Sequence, residues 1–146
     1  GGGAFAASLS RGLGEGGITA PLVAVQTEGC APLARAWASA QSDSTAAAHW
    51  TQHMWPWEQE PVSLADGILD DETYDWVADV AQLQRTDGRV VVASESDVVT
   101  ASQIALQLTA VDASPTGTAG LAGLLAMRSE LNSTGHVAVV LSGIRR

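Results

Sequence analysis

The residues best suited to bind a ligand are three consecutive glycines, Gly1, Gly2 and Gly3, hereafter the glycine triplet, which lead directly into an apolar run that favours a helix. Glycines let backbone N–H groups approach an anion closely, and the positive end of a helix dipole attracts the same charge. Such phosphate-binding turns usually follow a strand, and the printed sequence has none before the triplet. Two interpretations stay open: a phosphate-binding turn, or a terminal tail without a role.

A second candidate is the Ser142–Gly143 pair, which ends the apolar run HVAVVLSG at residues 136–143. That run predicts a buried strand. A serine at the carboxyl end of a strand lies where ligands bind in open parallel sheets. Taken alone, Ser142 is equally typical of a serine that ends a strand and caps a turn.

The other polar clusters favour structural roles. His49 and His53 have the spacing that puts two imidazoles on one helix face, but no third ligand is apparent and the glutamate of a zinc hydrolase motif is missing. Acidic residues 70–72 and 75 suit the first turn of a helix without a metal. Cys30 has no activating partner in the sequence, which favours a small buried residue. We expect no metal site.

These residues lie among alternating strands and helices. Apolar runs with β-branched residues predict strands over residues 21–26, 89–94 and 136–143. Periodicity and end signals, including Pro32 in a first turn and Ser94 with Asp97 as a cap, predict helices over residues 4–11, 32–40, 46–54, 73–84, 95–108 and 118–131. Strands separated by helices favour parallel pairing with helices on both faces. The predicted fold class is α/β, with three αβα layers around a mainly parallel sheet.

Composition narrows the class of protein further. The chain has 146 residues, 46% of them hydrophobic, which fits one globular domain. A net charge of −9 argues against nucleic acid as a partner. Apolar runs such as residues 121–127 are too short to cross a membrane, and no targeting signal is visible. A single cysteine favours a reducing compartment, so we expect a cytoplasmic protein.

The basic residues have a chemical consequence of their own. All seven are arginines, and lysine is absent. A chain without lysine cannot supply a side-chain amine for a Schiff base.

Six segments of the sequence, taken in their order, resemble those of a known family. Each segment alone is a weak signal. They are GGGAFAAS (1–8), PLVAVQTEGCAPL (21–33), SLADGI (63–68), VVVASESDVVTASQIALQL (90–108), SPTGTAGLAGLLA (114–126) and HVAVVLSG (136–143). This order resembles the C-terminal part of the fold-type II pyridoxal-phosphate enzymes, the superfamily of the tryptophan synthase β subunit, threonine synthase and the serine/threonine dehydratases. The likeness covers nearly all of the chain.

The resemblance implies pyridoxal 5′-phosphate as the cofactor and assigns its binding residues. Backbone amides of the family's glycine loop hold the phosphate, and a serine or threonine hydroxyl meets the pyridine nitrogen. The matching positions here are Gly1, Gly2, Gly3, Ala4, Ser142 and Gly143. The family's Schiff-base lysine and its substrate-binding asparagine loop precede the glycine loop. We therefore expect residues 1–146 to be the C-terminal part of the cofactor-binding large domain of a longer enzyme, without catalytic residues of their own and inactive alone.

The reaction that the resemblance implies is one on an amino-acid substrate. GGGAFAAS and VQTEGCAPLARAW are nearest to threonine synthase, which converts O-phosphohomoserine to threonine. A serine/threonine dehydratase-like ammonia-lyase is the alternative, although Ser114 stands where such members often carry glutamate. Gln26 and Pro32 fall near the family's divalent-cation ligands and do not suit that role. The expected partners are the N-terminal portion of the same enzyme and a second copy in a homodimer. A third possibility is a non-catalytic module for a phosphorylated ligand or a protein partner.

Overall fold

A computed structural model describes residues 1–131 and 135–145. Its sheet consists of two parallel strands, β1 (Val23–Thr27) and β2 (Arg89–Ala93), with Val25 opposite Val91. Parallel strands need a long crossover, and here the crossover contains three helices. The fold is α/β with a parallel sheet, as the sequence predicts.

Six α-helices surround the strands within the described residues. Their bounds are α1 (Ala4–Glu15), α2 (Pro32–Ala40), α3 (Trp50–His53), α4 (Trp76–Arg85), α5 (Glu95–Thr109) and α6 (Ala119–Ala126). Short 3₁₀ turns cover Ala46–His49, Asp66–Ile68 and Arg128–Glu130. No helix in the described part of the chain is long and apolar enough to cross a membrane.

Local sequence signals explain several helix ends. Pro32 occupies the first turn of α2, where its missing N–H costs no hydrogen bond. Ser94 caps α5 by accepting from the Asp97 N–H (3.2 Å), and the Asp97 carboxylate accepts in return from the Ser94 N–H (3.3 Å). This reciprocal capping box confirms the predicted helix start.

Alternating side chains of the strands form two apolar clusters, one on each face of the sheet. The first cluster contains Ala24 with the buried faces of α2 and α4, including Trp76 and Leu83. The second contains Ala93 with α5 and α6, and the partly buried Val25 packs against it. A Cβ on Gly123 would lie 2.3 Å from Val25 Cγ2, so only glycine lets α6 approach β1 this closely. Helices therefore cover both faces of the sheet.

The strand predicted at residues 136–143 is wrong. Residues 135–143 form neither helix nor strand, and Val137 and Val140 are 55% and 43% exposed. The segment pairs its backbone with the loop at residues 112–117 instead, where Ser114 N–H donates to Gly143 O (3.0 Å) and Ser142 N–H donates to Gly117 O (3.1 Å). A strand requires a neighbouring strand as well as an apolar run, and here the neighbour is a loop.

Several helix boundaries also differ from prediction, including the start of α4, which begins at Trp76 and not at residue 73. Helix α1 continues through Gly12 and Gly14 to Glu15, because a glycine weakens a helix without ending it, and the positive φ of 74° comes only at Gly17. Helix α6 ends at Ala126 and is followed by a 3₁₀ turn. Residues 46–54 divide into a 3₁₀ turn and the four-residue α3.

Candidate functional site

Backbone hydrogen bonds fix the glycine triplet against the segment that precedes α4. The Gly1 nitrogen donates to Ile68 O (2.9 Å), and the Asp75 N–H donates to Gly2 O (2.8 Å). The Ala7 N–H donates to Gly3 O (3.2 Å) and so opens the hydrogen bonding of α1. The triplet thus lies directly before α1, with Gly3 as its N-cap, and hydrogen bonds join it to the segment before α4.

Gly3 needs to be glycine for two independent reasons. Its φ of 96° lies in the left-handed region, which side chains with a Cβ rarely adopt. A Cβ there would also lie 2.3 Å from Asp79 Oδ2 and 3.0 Å from Thr73 Cγ2. No side chain among the described residues caps α1, so its first N–H groups face the triplet with the positive end of the helix dipole. This combination suits a bound anion.

Asp79 lies directly behind the triplet and is a functional candidate that the sequence analysis missed. Its side chain is fully buried, and neither carboxyl oxygen has a hydrogen-bond partner in the described part of the chain. Burial, with a contribution from the Asp75 charge, raises the pKa of Asp79 to about 7. The available signal was a carboxylate on the apolar face of α4, three residues after Trp76 and one before Val80.

The SLADGI segment connects the triplet to the loop at residues 114–117. A Cβ on Gly1 would lie 3.5 Å from Gly67 O. The Gly67 N–H donates to Thr116 Oγ1 (2.9 Å), and that hydroxyl donates to Asp66 Oδ1 (3.2 Å). Because these contacts are tertiary, the spacing of the residues in the sequence does not reveal them.

Ser142 and Gly143 lie on the far side of the same loop. A Cβ on Gly117 would lie 2.1 Å from Gly143 O, so the two backbones are in direct contact. Ser142 is exposed and, with Val111, Leu141 and Ile144, lines an open hollow of about 440 Å³. A continuous series of contacts therefore runs from the glycine triplet through Gly67 and residues 116–117 to the Ser142–Gly143 pair.

The two histidines make separate contacts that join loop to helix. His53 is buried, with Nδ1 3.0 Å from Ser39 Oγ and Nε2 3.1 Å from Asp43 Oδ2. The nearest carboxylate contact of His49 is 4.0 Å, also to Asp43. Within residues 1–131 and 135–145, no group of three or more His, Cys, Asp or Glu side chains is placed to hold a metal ion.

Several other residues singled out in the sequence have structural contacts. Cys30 is buried, its Sγ donates to Asp70 O (3.3 Å), and burial raises the pKa of the thiol. A contact that the sequence did not predict joins α2 to the loop after α3, where the Arg35 guanidinium lies 3.8 Å from the Trp55 ring centroid and binds Glu58 (2.9 Å). Ser114 Oγ accepts from the Gly117 N–H (3.0 Å) and so caps the turn.

Gln26 is committed to structural hydrogen bonds as well. Its Oε1 accepts from the Ala34 N–H (3.0 Å), and its Nε2 donates to Thr73 Oγ1 (3.4 Å). Pro32 is buried in the first turn of α2. Through these contacts Gln26 connects β1 with α2 and with the segment that leads into α4.

Comparison with known proteins places the chain among enzymes of one cofactor class. The model of the family described as "Pyridoxal-phosphate dependent enzyme" matches residues 1–143. The threonine deaminase of T.th. superposes with a TM-score of 0.76 at 23% identity, covering 100% of this chain and 46% of that one. Serine racemase of Dictyostelium discoideum gives 0.71 at 15% identity, covering 98% and 41%.

Maize serine racemase is a further structural relative, with a TM-score of 0.64 at 17% identity over 90% of this chain and 35% of that one. The chain thus spans less than half the length of these relatives. No curated protein matches it in sequence. The family match covers nearly the whole chain, from the glycine triplet to Gly143. The chain belongs to the pyridoxal-phosphate-dependent enzymes of fold type II.

Proposed function

We propose that these residues form the C-terminal part of the cofactor-binding domain of a longer amino-acid lyase. Its proposed reaction is the elimination of water from a hydroxy-amino acid such as threonine or serine, followed by hydrolysis of the dehydrated product to a 2-oxo acid and ammonia. The observation that carries the site is the continuous contact between the glycine triplet, Gly67, residues 116–117 and Ser142–Gly143. The reaction class is supported by the superposition on a threonine deaminase over 100% of this chain.

The chemistry of these residues fits pyridoxal phosphate. The first N–H groups of α1 have no side-chain cap among the described residues, and the glycines in front of them carry no side chain, so these N–H groups can donate to a phosphate group. The Ser142 hydroxyl is exposed beside an open hollow whose other side chains are Val111, Leu141 and Ile144. We propose that Gly1, Gly2, Gly3 and Ala4 hold the phosphate and that Ser142 and Gly143 meet the ring.

When bound, the cofactor supplies an electron sink for the negative charge that develops at the substrate Cα. The triplet and the first N–H groups of α1 would anchor the phosphate through hydrogen bonds and the helix dipole. Ser142 would hold its hydroxyl at the ring nitrogen. Because a neutral hydroxyl does not force a proton onto that nitrogen as a carboxylate would, it moderates the electron demand. The apolar side chains of Val111, Leu141 and Ile144 would keep water from the ring edge.

The amine that takes the proton from the substrate Cα has to come from outside these residues, because the sequence contains no lysine. We propose that a preceding segment of the same polypeptide supplies it, and that the enzyme is a cytoplasmic homodimer. The relatives that match the whole of this chain are more than twice its length, which supports a missing portion.

Threonine synthase is the second candidate, and a specific observation favours it. The stretches GGGAFAAS and VQTEGCAPLARAW, at residues 1–8 and 25–37, are nearest to that enzyme in sequence. In the structure these stretches form the triplet with the start of α1, and the end of β1 with most of α2. Both candidates use the same phosphate and ring contacts, so the substrate separates them.

The test uses the longest natural polypeptide that contains these residues. With L-threonine or L-serine, the ammonia-lyase proposal predicts a 2-oxo acid and ammonia, whereas threonine synthase would instead convert O-phosphohomoserine to threonine and phosphate. An absorbance band at about 410–420 nm would report the lysine-bound cofactor. A colourless polypeptide inactive on all three substrates would contradict both enzymatic proposals and favour a non-catalytic module.

A further inference from the structure

Asp79 packs directly behind Gly3. The proposed phosphate-binding segment, Gly1, Gly2, Gly3 and Ala4, is called the phosphate cradle below. Asp79 projects from α4 towards the glycine triplet, and its Oδ2 lies 2.3 Å from the position that a Gly3 Cβ would occupy. The side chain is 0% exposed, and neither oxygen makes a well-formed hydrogen bond among the described residues, although the Ala7 N–H of α1 lies near enough to lower the pKa of the carboxyl. A buried carboxyl with so little compensation is costly, because it has lost its water.

The groups around Asp79 are mostly acidic or uncharged. Asp75 on the preceding turn repels a negative charge on Asp79, whereas the Ala7 N–H and a free amine at Gly1 favour one. In a longer polypeptide the Gly1 nitrogen is a neutral amide and does not contribute. Asp70 lies beside Gly1, with Oδ2 3.0 Å from the position of a Gly1 Cβ. The first two turns of α1, residues 4–10, carry no ionisable side chain. These favourable contributions do not outweigh burial and the Asp75 charge, which together raise the pKa of Asp79 to about 7.

A phosphate group held by the glycine triplet would add two negative charges in front of the same backbone. Asp79 would then lie behind Gly3 with only the triplet between them, in an interior where charges are weakly screened. An ionised Asp79 and a bound phosphate would repel each other, whereas a neutral carboxyl would not. The positive end of the α1 dipole can fully stabilise either the phosphate or an ionised Asp79, but not both.

We propose that Asp79 is a positioning residue of the phosphate cradle, which packs under Gly3 as a neutral carboxyl and couples the affinity for a phosphate group to its own protonation. This inference rests on the proposed phosphate site. By linkage, a phosphate group that binds better to the protonated form must draw a proton onto Asp79 when it binds. Phosphate affinity therefore falls as the pH rises and Asp79 ionises.

The test compares wild type with Asp79→Asn, which keeps the shape of the side chain and removes its charge. The protein is the longest natural polypeptide that contains these residues, and the probes are pyridoxal phosphate and inorganic phosphate. Titration calorimetry between about pH 5.5 and pH 8.5 gives both the dissociation constant and, from buffers of different ionisation enthalpy, the number of protons taken up. Both probes also titrate within this pH range, but this contribution is common to both proteins.

We expect equal affinities at about pH 5.5 and about tenfold tighter binding by Asp79→Asn at about pH 8.5. Proton uptake at neutral pH should be present in wild type beyond that of the variant. Asp75→Asn is the matched variant, because its side chain is exposed and its N–H bond to Gly2 O is retained. By removing a repelling charge, it should lower the pH at which the affinity falls.

An affinity ratio between wild type and Asp79→Asn that stays constant across this pH range, with no difference in proton uptake, would overturn the inference while leaving the phosphate site intact. Absence of binding of either probe to either protein at every pH would instead overturn the phosphate site, and the inference with it. The two failures are therefore distinguishable.

Discussion

The two ends of the candidate cofactor site are built differently. At the phosphate end, Gly3 is surrounded by Asp79, Thr73 and Asp75, all within 3.1 Å of the position that a Cβ would occupy. At the ring end, Ser142 is exposed and is held through its backbone by Gly117. Side-chain packing therefore fixes the backbone at the phosphate end, whereas at the ring end the backbone is held only by hydrogen bonds to a loop. Substitutions at the first should affect folding and binding together, and substitutions at the second should affect mainly the chemistry.

The largest effect is expected for Gly3→Ala. The left-handed φ of 96° and the 2.3 Å approach to Asp79 Oδ2 together should lower the free energy of unfolding by about 3 kcal/mol in urea titrations. Gly12→Ala is the matched control, because a Cβ there meets nothing within 4 Å inside α1. That control should stabilise the protein by roughly 0.5–1 kcal/mol. Equal effects of the two substitutions on the free energy of unfolding would contradict the close packing of side chains around Gly3.

Asp79→Asn should have the next largest effect, and its sign depends on pH. The pKa of Asp79 is raised from 3.8 to about 7, so the folded state retains a proton that the unfolded state has released. Stability of the wild type should therefore fall as the pH rises from about 4 to about 7 and stay level above that. The variant removes this loss, and its free energy of unfolding should exceed that of wild type by about 2 kcal/mol at about pH 8. A difference that does not change with pH would exclude a buried titrating carboxyl.

Gly117→Ala tests the packing of the ring end. Its Cβ would lie 2.1 Å from Gly143 O, but residues 135–143 lie in no helix or strand and have room to shift. We expect a loss of about 1–2 kcal/mol in the free energy of unfolding, smaller than that for Gly3→Ala. Gly120→Ala, whose Cβ meets nothing closer than 3.4 Å, is the control and should cost less. A loss for Gly117→Ala as large as that for Gly3→Ala would contradict the proposal that the phosphate end is packed more tightly than the ring end.

Ser142 should have the smallest effect on stability and a specific effect on the reaction. Because Ser142 is exposed, Ser142→Ala should change the free energy of unfolding by less than about 0.5 kcal/mol. In the complete enzyme Ser142→Asp should impair or redirect the reaction, because a carboxylate favours a protonated ring nitrogen. Product analysis and kcat measure this effect, and unchanged kinetics in Ser142→Asp would argue against the ring contact.

The parts of the fold that the sequence predicted well are those with local signals. Pro32 marks the start of α2, and the Ser94–Asp97 pair marks the start of α5. The runs that became β1 and β2 are short, apolar and bounded by turn residues. The failure came at residues 136–143, where an equally apolar run lies along a loop. Strand formation depends on a partner elsewhere in the chain, which the run itself does not encode.

The candidate site shows the same limit. The types and order of the residues were enough to select the glycine triplet and Ser142 as candidates, although the role of each stays a prediction. Asp79 and the Gly67–Thr116 contact were not, because both arise when distant segments pack together. A carboxylate on the apolar face of α4 was the only sequence signal for Asp79, and such a residue equally suits a buried salt bridge.

The most direct test of the phosphate end is the dissociation constant for pyridoxal phosphate in Gly3→Ala and in Gly12→Ala, measured on the longest natural polypeptide under conditions where both variants are folded. Both substitutions add one methyl group, but only the one at Gly3 would collide with Asp79 and so displace the backbone of the triplet. We predict an unchanged dissociation constant for Gly12→Ala and an increase of at least about tenfold for Gly3→Ala. Equal dissociation constants in the two variants would contradict the placement of the phosphate at the glycine triplet.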